Sequence, residues 1–170
     1  MLKNRLIPIV LSILLSANIY ADTLVQTKEN KTITNPKTYI EIDNVRLVKD
    51  QEENPGMLDG DFFKAIAAGK VENFTIVYVT DKKTYEKGHL KNAVNIQYEG
   101  LDPKVFMSNI DKIIQSGKKV VLVCTSGARA TEAITLIQEN HGDSKNIFMA
   151  DANIDCDKEG NCKIEINDPL

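Results

Sequence analysis

The residues best suited to chemistry are Cys124 and Arg129, which are separated by four small residues. A thiolate is the nucleophilic form of cysteine, and a guanidinium offers a planar set of donors to an anion. A cysteine followed by a glycine-containing loop and an arginine therefore predicts an anion-binding thiolate site. The alternative is a small, buried and inert cysteine that closes a strand. The predicted binding loop consists of Thr125, Ser126, Gly127 and Ala128.

The segments on both sides of this loop have the patterns of a buried strand and a helix. Residues 119–123 form a short, β-branched apolar run, which is typical of a strand buried on both faces of a parallel sheet. Backbone N–H groups at a helix start lack partners within the helix, so they favour an anion there and with it the thiolate of Cys124. The apolar residues that recur at helical spacing after the loop are Ala130, Ala133, Ile134 and Ile137.

Strand-like and helix-like segments alternate around this unit. Asp61 is the predicted N-cap of a first helix, Asp81 caps a brief one, and Asp102 with Pro103 opens a longer one. This alternation predicts an α/β fold with a parallel sheet flanked by helices on both faces and a site at the carboxyl edge of the strands. The predicted strands span residues 74–79, 93–96, 119–123 and 146–149, and the helix after the loop spans 129–139.

Two motifs together resemble those of the rhodanese-like domain family. One is the loop from Cys124 to Arg129, and the other is the stretch from Tyr85 to Ile96, which contains Gly-His-Leu and Asn-Ala-Val-Asn-Ile. The resemblance covers about residues 60–150 and implies a rhodanese-like parallel sheet with flanking helices. It also implies that Cys124 is the catalytic cysteine of a thiosulfate sulfurtransferase type of enzyme.

The resemblance implies particular roles for the loop residues. Cys124 would carry a persulfide, the amides of residues 125–129 would hold it, and Arg129 would be the closing cation. The donor would be a small sulfur compound such as thiosulfate or a persulfide. The acceptor would be a thiol, cyanide or a protein thiol, and no cofactor is implied. The other open interpretation is a non-catalytic sulfur-binding or thiol-redox partner module with the same fold.

The chain departs from the family pattern in three places. The usual Asp-Val-Arg is replaced by Tyr78-Val79-Thr80, and the usual Gly-Gly with a following tryptophan is absent. The loop is also neutral apart from Arg129. A dianionic donor bound there would therefore receive less electrostatic stabilisation than in a more basic loop. Related phosphatases have one more residue between cysteine and arginine, so the shorter loop here favours sulfur transfer.

The first residues predict export. A basic start, an apolar stretch and Ala21 indicate a signal peptide over residues 1–21, followed by an N-terminal extension (22–58) and the rhodanese-like domain (59–170). A periplasmic or secreted location is therefore expected. The net charge of −3 argues against nucleic acid as a partner, and no membrane association is expected after removal of the signal.

The remaining cysteines, Cys156 and Cys162, flank a turn-rich segment. In an oxidising compartment they predict a disulfide, although a reversible dithiol that reacts with Cys124 is a further possibility. The acidic residues between them approach the spacing of a calcium loop, but the twelfth position is Ile166 where a glutamate is required. With only two histidines in the chain, no metal site is expected, and His89 is interpreted as a structural residue.

Overall fold

The computed structural model describes residues 39–141 and 144–167. The predicted signal peptide, and the part of the predicted extension before Tyr39, lie outside these residues. In chain order the elements are β1 (Tyr39–Ile42), β2 (Val45–Val48), α1 (Gly60–Ala67), β3 (Phe74–Tyr78), α2 (Lys82–Tyr85), β4 (Val94–Asn95), α3 (Pro103–Gln115), β5 (Lys119–Val123), α4 (Ala128–His141), β6 (Ile147–Met149), β7 (Ala152–Cys156) and β8 (Cys162–Ile166).

The central feature of the described chain is a parallel sheet in the order β4-β3-β5-β6. Successive side chains of a strand point to opposite faces, and both faces of β3 and β5 are buried. Ile76 and Val121 belong to a core that includes α1, whereas Val77 and Leu122 belong to a core that includes α3 and α4. The prediction of an α/β fold with helices on both faces is confirmed.

Local capping determines where the helices begin. Asp81 accepts a hydrogen bond from the backbone N–H of Thr84, and Asp102 accepts one from that of Lys104, as predicted for α2 and α3. The predicted cap of α1 is wrong, because Asp59 rather than Asp61 accepts from the N–H of Phe62, at 3.0 Å. Asp59 is also held by an ion pair, since its carboxylate lies 3.1 Å from the guanidinium of Arg46.

The segment before α1 packs into the same body. The β1–β2 hairpin places Val45 and Leu47 in the core beside α1. The chain then runs alongside β6, where Leu58 donates its N–H to the carbonyl of Met149 (2.9 Å) and Met149 donates its own to that of Gly56 (3.0 Å). Residues 45–58 therefore contribute directly to the packing around the sheet.

The last two described strands, β7 and β8, form an antiparallel hairpin. Cys156 and Cys162 are directly opposite each other in this hairpin and form the predicted disulfide. Ile154 of β7 is buried in the core beside α1, and Cys156 packs against the same core. In residues 39–141 and 144–167, no helix is long and apolar enough to cross a bilayer.

Removing the disulfide is expected to lower the free energy of unfolding by about 2 kcal/mol, because a cross-link over this separation restricts the unfolded chain. The measurement is urea unfolding of the C156A/C162A variant and of the wild type, each with and without a reductant. The wild type in reductant should approach the double variant, whose midpoint should not respond to reductant. A wild-type midpoint that is the same in both buffers would contradict the prediction.

Candidate active site

Cys124 lies immediately after β5, at the carboxyl edge of the parallel sheet. The preceding strand is held between β3 and β6, which fixes the position of the cysteine. Only 1% of Cys124 is exposed, and its neighbours belong to the core formed with α3 and α4. It is the free cysteine among the described residues. The structure therefore places the thiol at the predicted edge of the sheet and buries it.

The loop after Cys124 turns the chain directly into α4. Thr125, Ser126 and Ala128 are exposed, whereas Gly127 is buried and has a φ of +88°. A side chain at Gly127 would be strained at that φ, and its Cβ would also overlap the carboxylate of Asp151. The glycine is required at this turn for both reasons.

The backbone N–H groups of Thr125 to Arg129 are the donors that this loop offers. None of them donates a hydrogen bond to residues 39–141 or 144–167. In contrast, the carbonyl of Gly127 accepts from the N–H groups of Ala130 (3.0 Å) and Thr131 (3.1 Å), which starts the helix. Unpaired N–H groups at a helix start can bind an anionic sulfur.

Backbone carbonyls of the loop accept hydrogen bonds from the C-terminal hairpin and the residue after it. Ile154 donates its N–H to the carbonyl of Thr125 at 3.0 Å, and the side-chain amide of Asn167 donates to that of Ser126 at 3.4 Å. The same amide lies 2.6 Å from the carboxylate of Asp151. Asp151 and Asn167 were not predicted as site residues, because they lie in the segment where the sequence departs from the family motif.

Arg129 forms an ion pair with Glu99, in which Nε lies 3.0 Å from Oε1. This pairing raises the pKa of Arg129, and the negative charge of Asp81 acts in the same direction. Arg129 lies in the first turn of α4, and its guanidinium is already paired with a carboxylate. Glu99 was missed because it is distant in sequence and belongs to no local motif.

A model of the rhodanese-like domain matches residues 60–152, which is more than half of the chain. The chain belongs to the rhodanese-like domain family. The chain is also similar to a solved structure described as the atomic resolution structure of an uncharacterized protein from Saccharomyces cerevisiae. The two sequences are 26% identical, the match covers 55% of this chain and 82% of the yeast chain, and the TM-score is 0.41. No curated protein matches the chain significantly.

One residue just after β3 departs from the family pattern and is buried. Thr80, which stands where the family pattern has arginine, is completely buried, and its hydroxyl has no hydrogen-bond partner among the described residues. Its carbonyl accepts from the side-chain amide of Asn95 at 2.7 Å, and the same amide donates to the carbonyl of Tyr78 at 3.0 Å. Asn95 therefore connects β4 to the end of β3 by hydrogen bonds.

The Gly-His-Leu motif of the rhodanese-like domain has a structural role. His89 stacks on Tyr85 with ring centroids 3.8 Å apart, and its Nδ1 lies 3.0 Å from the carbonyl of Tyr85. Leu90 donates its N–H to the buried hydroxyl of Tyr78 at 3.2 Å. Burial raises the pKa of Tyr78 to about 12, so this hydroxyl is neutral at physiological pH.

The acidic residues between Cys156 and Cys162 lie in the turn that joins β7 to β8. Residues 39–141 and 144–167 contain no group of His, Cys, Asp and Glu side chains that could hold a metal ion. Asp157 instead accepts two hydrogen bonds from Asn161, which lower its pKa and close the turn between β7 and β8. Asp157 therefore stabilises the hairpin turn.

Proposed function

We propose that this rhodanese-like protein is a sulfurtransferase that carries sulfane sulfur as a persulfide on Cys124. The observation that carries the proposal is the loop of unpaired backbone N–H groups between Cys124 and the start of α4. Such donors stabilise negative charge that develops on sulfur during transfer. The family match supports sulfur chemistry at this position, because it spans the whole loop.

The proposed reaction has two half-reactions. In the first, the Cys124 thiolate attacks the outer sulfur of the donor, the donor's sulfur–sulfur bond breaks, and sulfite or a thiolate leaves. In the second, cyanide or a small or protein thiol attacks the outer sulfur of the persulfide, and the Cys124 thiolate leaves. The N–H groups of Thr125 to Arg129 bind the outer sulfur in the persulfide form. Nucleophilic catalysis of this kind needs no redox change and no cofactor.

The size of the loop favours sulfur over phosphate as the transferred group. Four residues separate Cys124 from Arg129, and the thiol they surround is buried. The hairpin contacts of Thr125 and Ser126 further restrict widening of the loop. A persulfide adds a single atom to the cysteine, whereas a phosphoryl group adds four.

A non-catalytic sulfur-binding module is the second candidate, and the burial of Cys124 is the observation that favours it. A thiol-redox role that uses all three cysteines has less support. Cys124 belongs to the core beside α3 and α4, whereas the disulfide partner Cys156 packs against the core beside α1. The thiol and the disulfide therefore pack into different cores, on opposite faces of the sheet.

We also propose that the protein acts after export, in the periplasm or outside the cell. The signal-like sequence of residues 1–21 supports export. The Cys156–Cys162 disulfide fits an oxidising compartment.

The test is intact-protein mass spectrometry under non-reducing conditions after incubation with thiosulfate, polysulfide or a low-molecular-weight persulfide. The wild type should gain one sulfur atom, and cyanide should remove it with formation of one thiocyanate per protein. A protein that gains no sulfur from any of the three donors is not a sulfurtransferase. Sulfur that is gained but not released to cyanide or a thiol would favour the binding module.

A further inference from the structure

The ion pair between Arg129 and Glu99 changes the charge that the loop presents. Arg129 is the cation of the Cys124–Arg129 segment, and Glu99 neutralises it at 3.0 Å. The side chains are 36% and 52% exposed respectively, so a donor in solution meets both charges together. Thr125 and Ser126 at the exposed part of the loop add no positive charge.

Two further carboxylates lie around the same loop. Asp151 contacts the backbone at Gly127 and is held there by Asn167. Asp81 caps α2 and is close enough to Arg129 for their charges to interact. Lys82, the neighbour of Asp81, forms an ion pair with Glu86, in which Nζ lies 3.6 Å from Oε1. Among these side chains, negative charges therefore outnumber positive ones.

We propose that Glu99 is a specificity-determining residue, which pairs with Arg129 and thereby makes the site select sulfane donors with at most one negative charge. This inference rests on the proposed sulfurtransferase function. Persulfides of small amino thiols belong to the favoured class, whereas thiosulfate, a dianion, is disfavoured. Repulsion by the uncompensated carboxylates acts twice as strongly on a dianion as on a monoanion at the same position.

Two donors of the same reaction type isolate the effect of charge. Thiosulfate and methanethiosulfonate both give their outer sulfur to a thiolate, and they release sulfite and methanesulfinate respectively. The first donor carries one more negative charge than the second. A change in the enzyme's charge should therefore alter their kcat/KM values unequally, whereas a change in the cysteine or in loop geometry should alter both alike.

The experiment compares wild type, Glu99→Gln and Glu139→Gln with both donors and cyanide as acceptor. Glu139 is an exposed glutamate in the last turn of α4, so its substitution removes the same charge far from the loop. Glu99→Gln should raise kcat/KM about tenfold for thiosulfate and about threefold for methanethiosulfonate, with little change in Glu139→Gln. The difference between the donors should shrink in high salt.

The outcomes separate this inference from the proposed function. Equal changes for the two donors in Glu99→Gln, or no change for either, would overturn the role of Glu99 while leaving sulfur transfer intact. If the proposed function itself fails, neither donor adds sulfur to the wild type in the mass spectrum. An exposed ion pair contributes little to stability, so Glu99→Gln is expected to fold normally, and equal unfolding midpoints would verify this.

Discussion

Replacing Cys124 with serine should lower the rate of sulfur transfer at least about a thousandfold, because a serine hydroxyl neither ionises at neutral pH nor forms a persulfide. The rate is measured as thiocyanate formation from a sulfane donor and cyanide. Intact mass should show no added sulfur in the variant. The substitution keeps the size of a buried side chain, so the fold should be retained.

The matched control is the C156A/C162A variant, which keeps Cys124 and removes the other two cysteines. It should retain most of the transfer rate, since the disulfide packs against the opposite core from Cys124. Loss of transfer in this variant, with its fold intact by circular dichroism, would instead assign a direct role to the disulfide. Transfer by folded Cys124→Ser at the wild-type rate would refute Cys124 as the sulfur carrier.

Replacing Gly88 with alanine is expected to lower the free energy of unfolding by roughly 2–4 kcal/mol. A Cβ at this position would overlap the backbone carbonyl of Cys156. That carbonyl belongs to β7, which is paired with β8 and joined to it by the disulfide. The backbone of β7 therefore has little freedom to move away from the added Cβ. Urea unfolding of the variant and the wild type measures the loss of free energy of unfolding.

The control for this substitution is Gly117→Ala. Gly117 has a φ of +83°, and nothing lies within 4 Å of a Cβ built there. Its substitution adds backbone strain without a collision and is expected to cost about 1 kcal/mol. A loss of stability in Gly88→Ala no larger than in Gly117→Ala would show that the hairpin moves aside easily.

Several features of the fold could be predicted because they depend on neighbours in sequence. The β-branched run of residues 119–123 forms β5, and the stripe that begins at Ala130 lies on the buried face of α4. Asp81 and Asp102 cap helices through bonds to residues two or three positions ahead. The cap of α1 was misplaced because both Asp59 and Asp61 satisfy the local pattern. The pairing of Asp59 with Arg46 is a contact between segments.

The sequence by itself determined that a cysteine, a glycine turn and an arginine lie between a buried strand and a helix. Strand burial, turn formation and helix initiation all follow from the types and spacing of adjacent residues. Only the tertiary structure decided the charge and support of that loop, because Glu99, Asp151 and Asn167 reach it from separate segments. Contacts of this kind depend on how the sheet and the C-terminal hairpin pack, which no local pattern encodes.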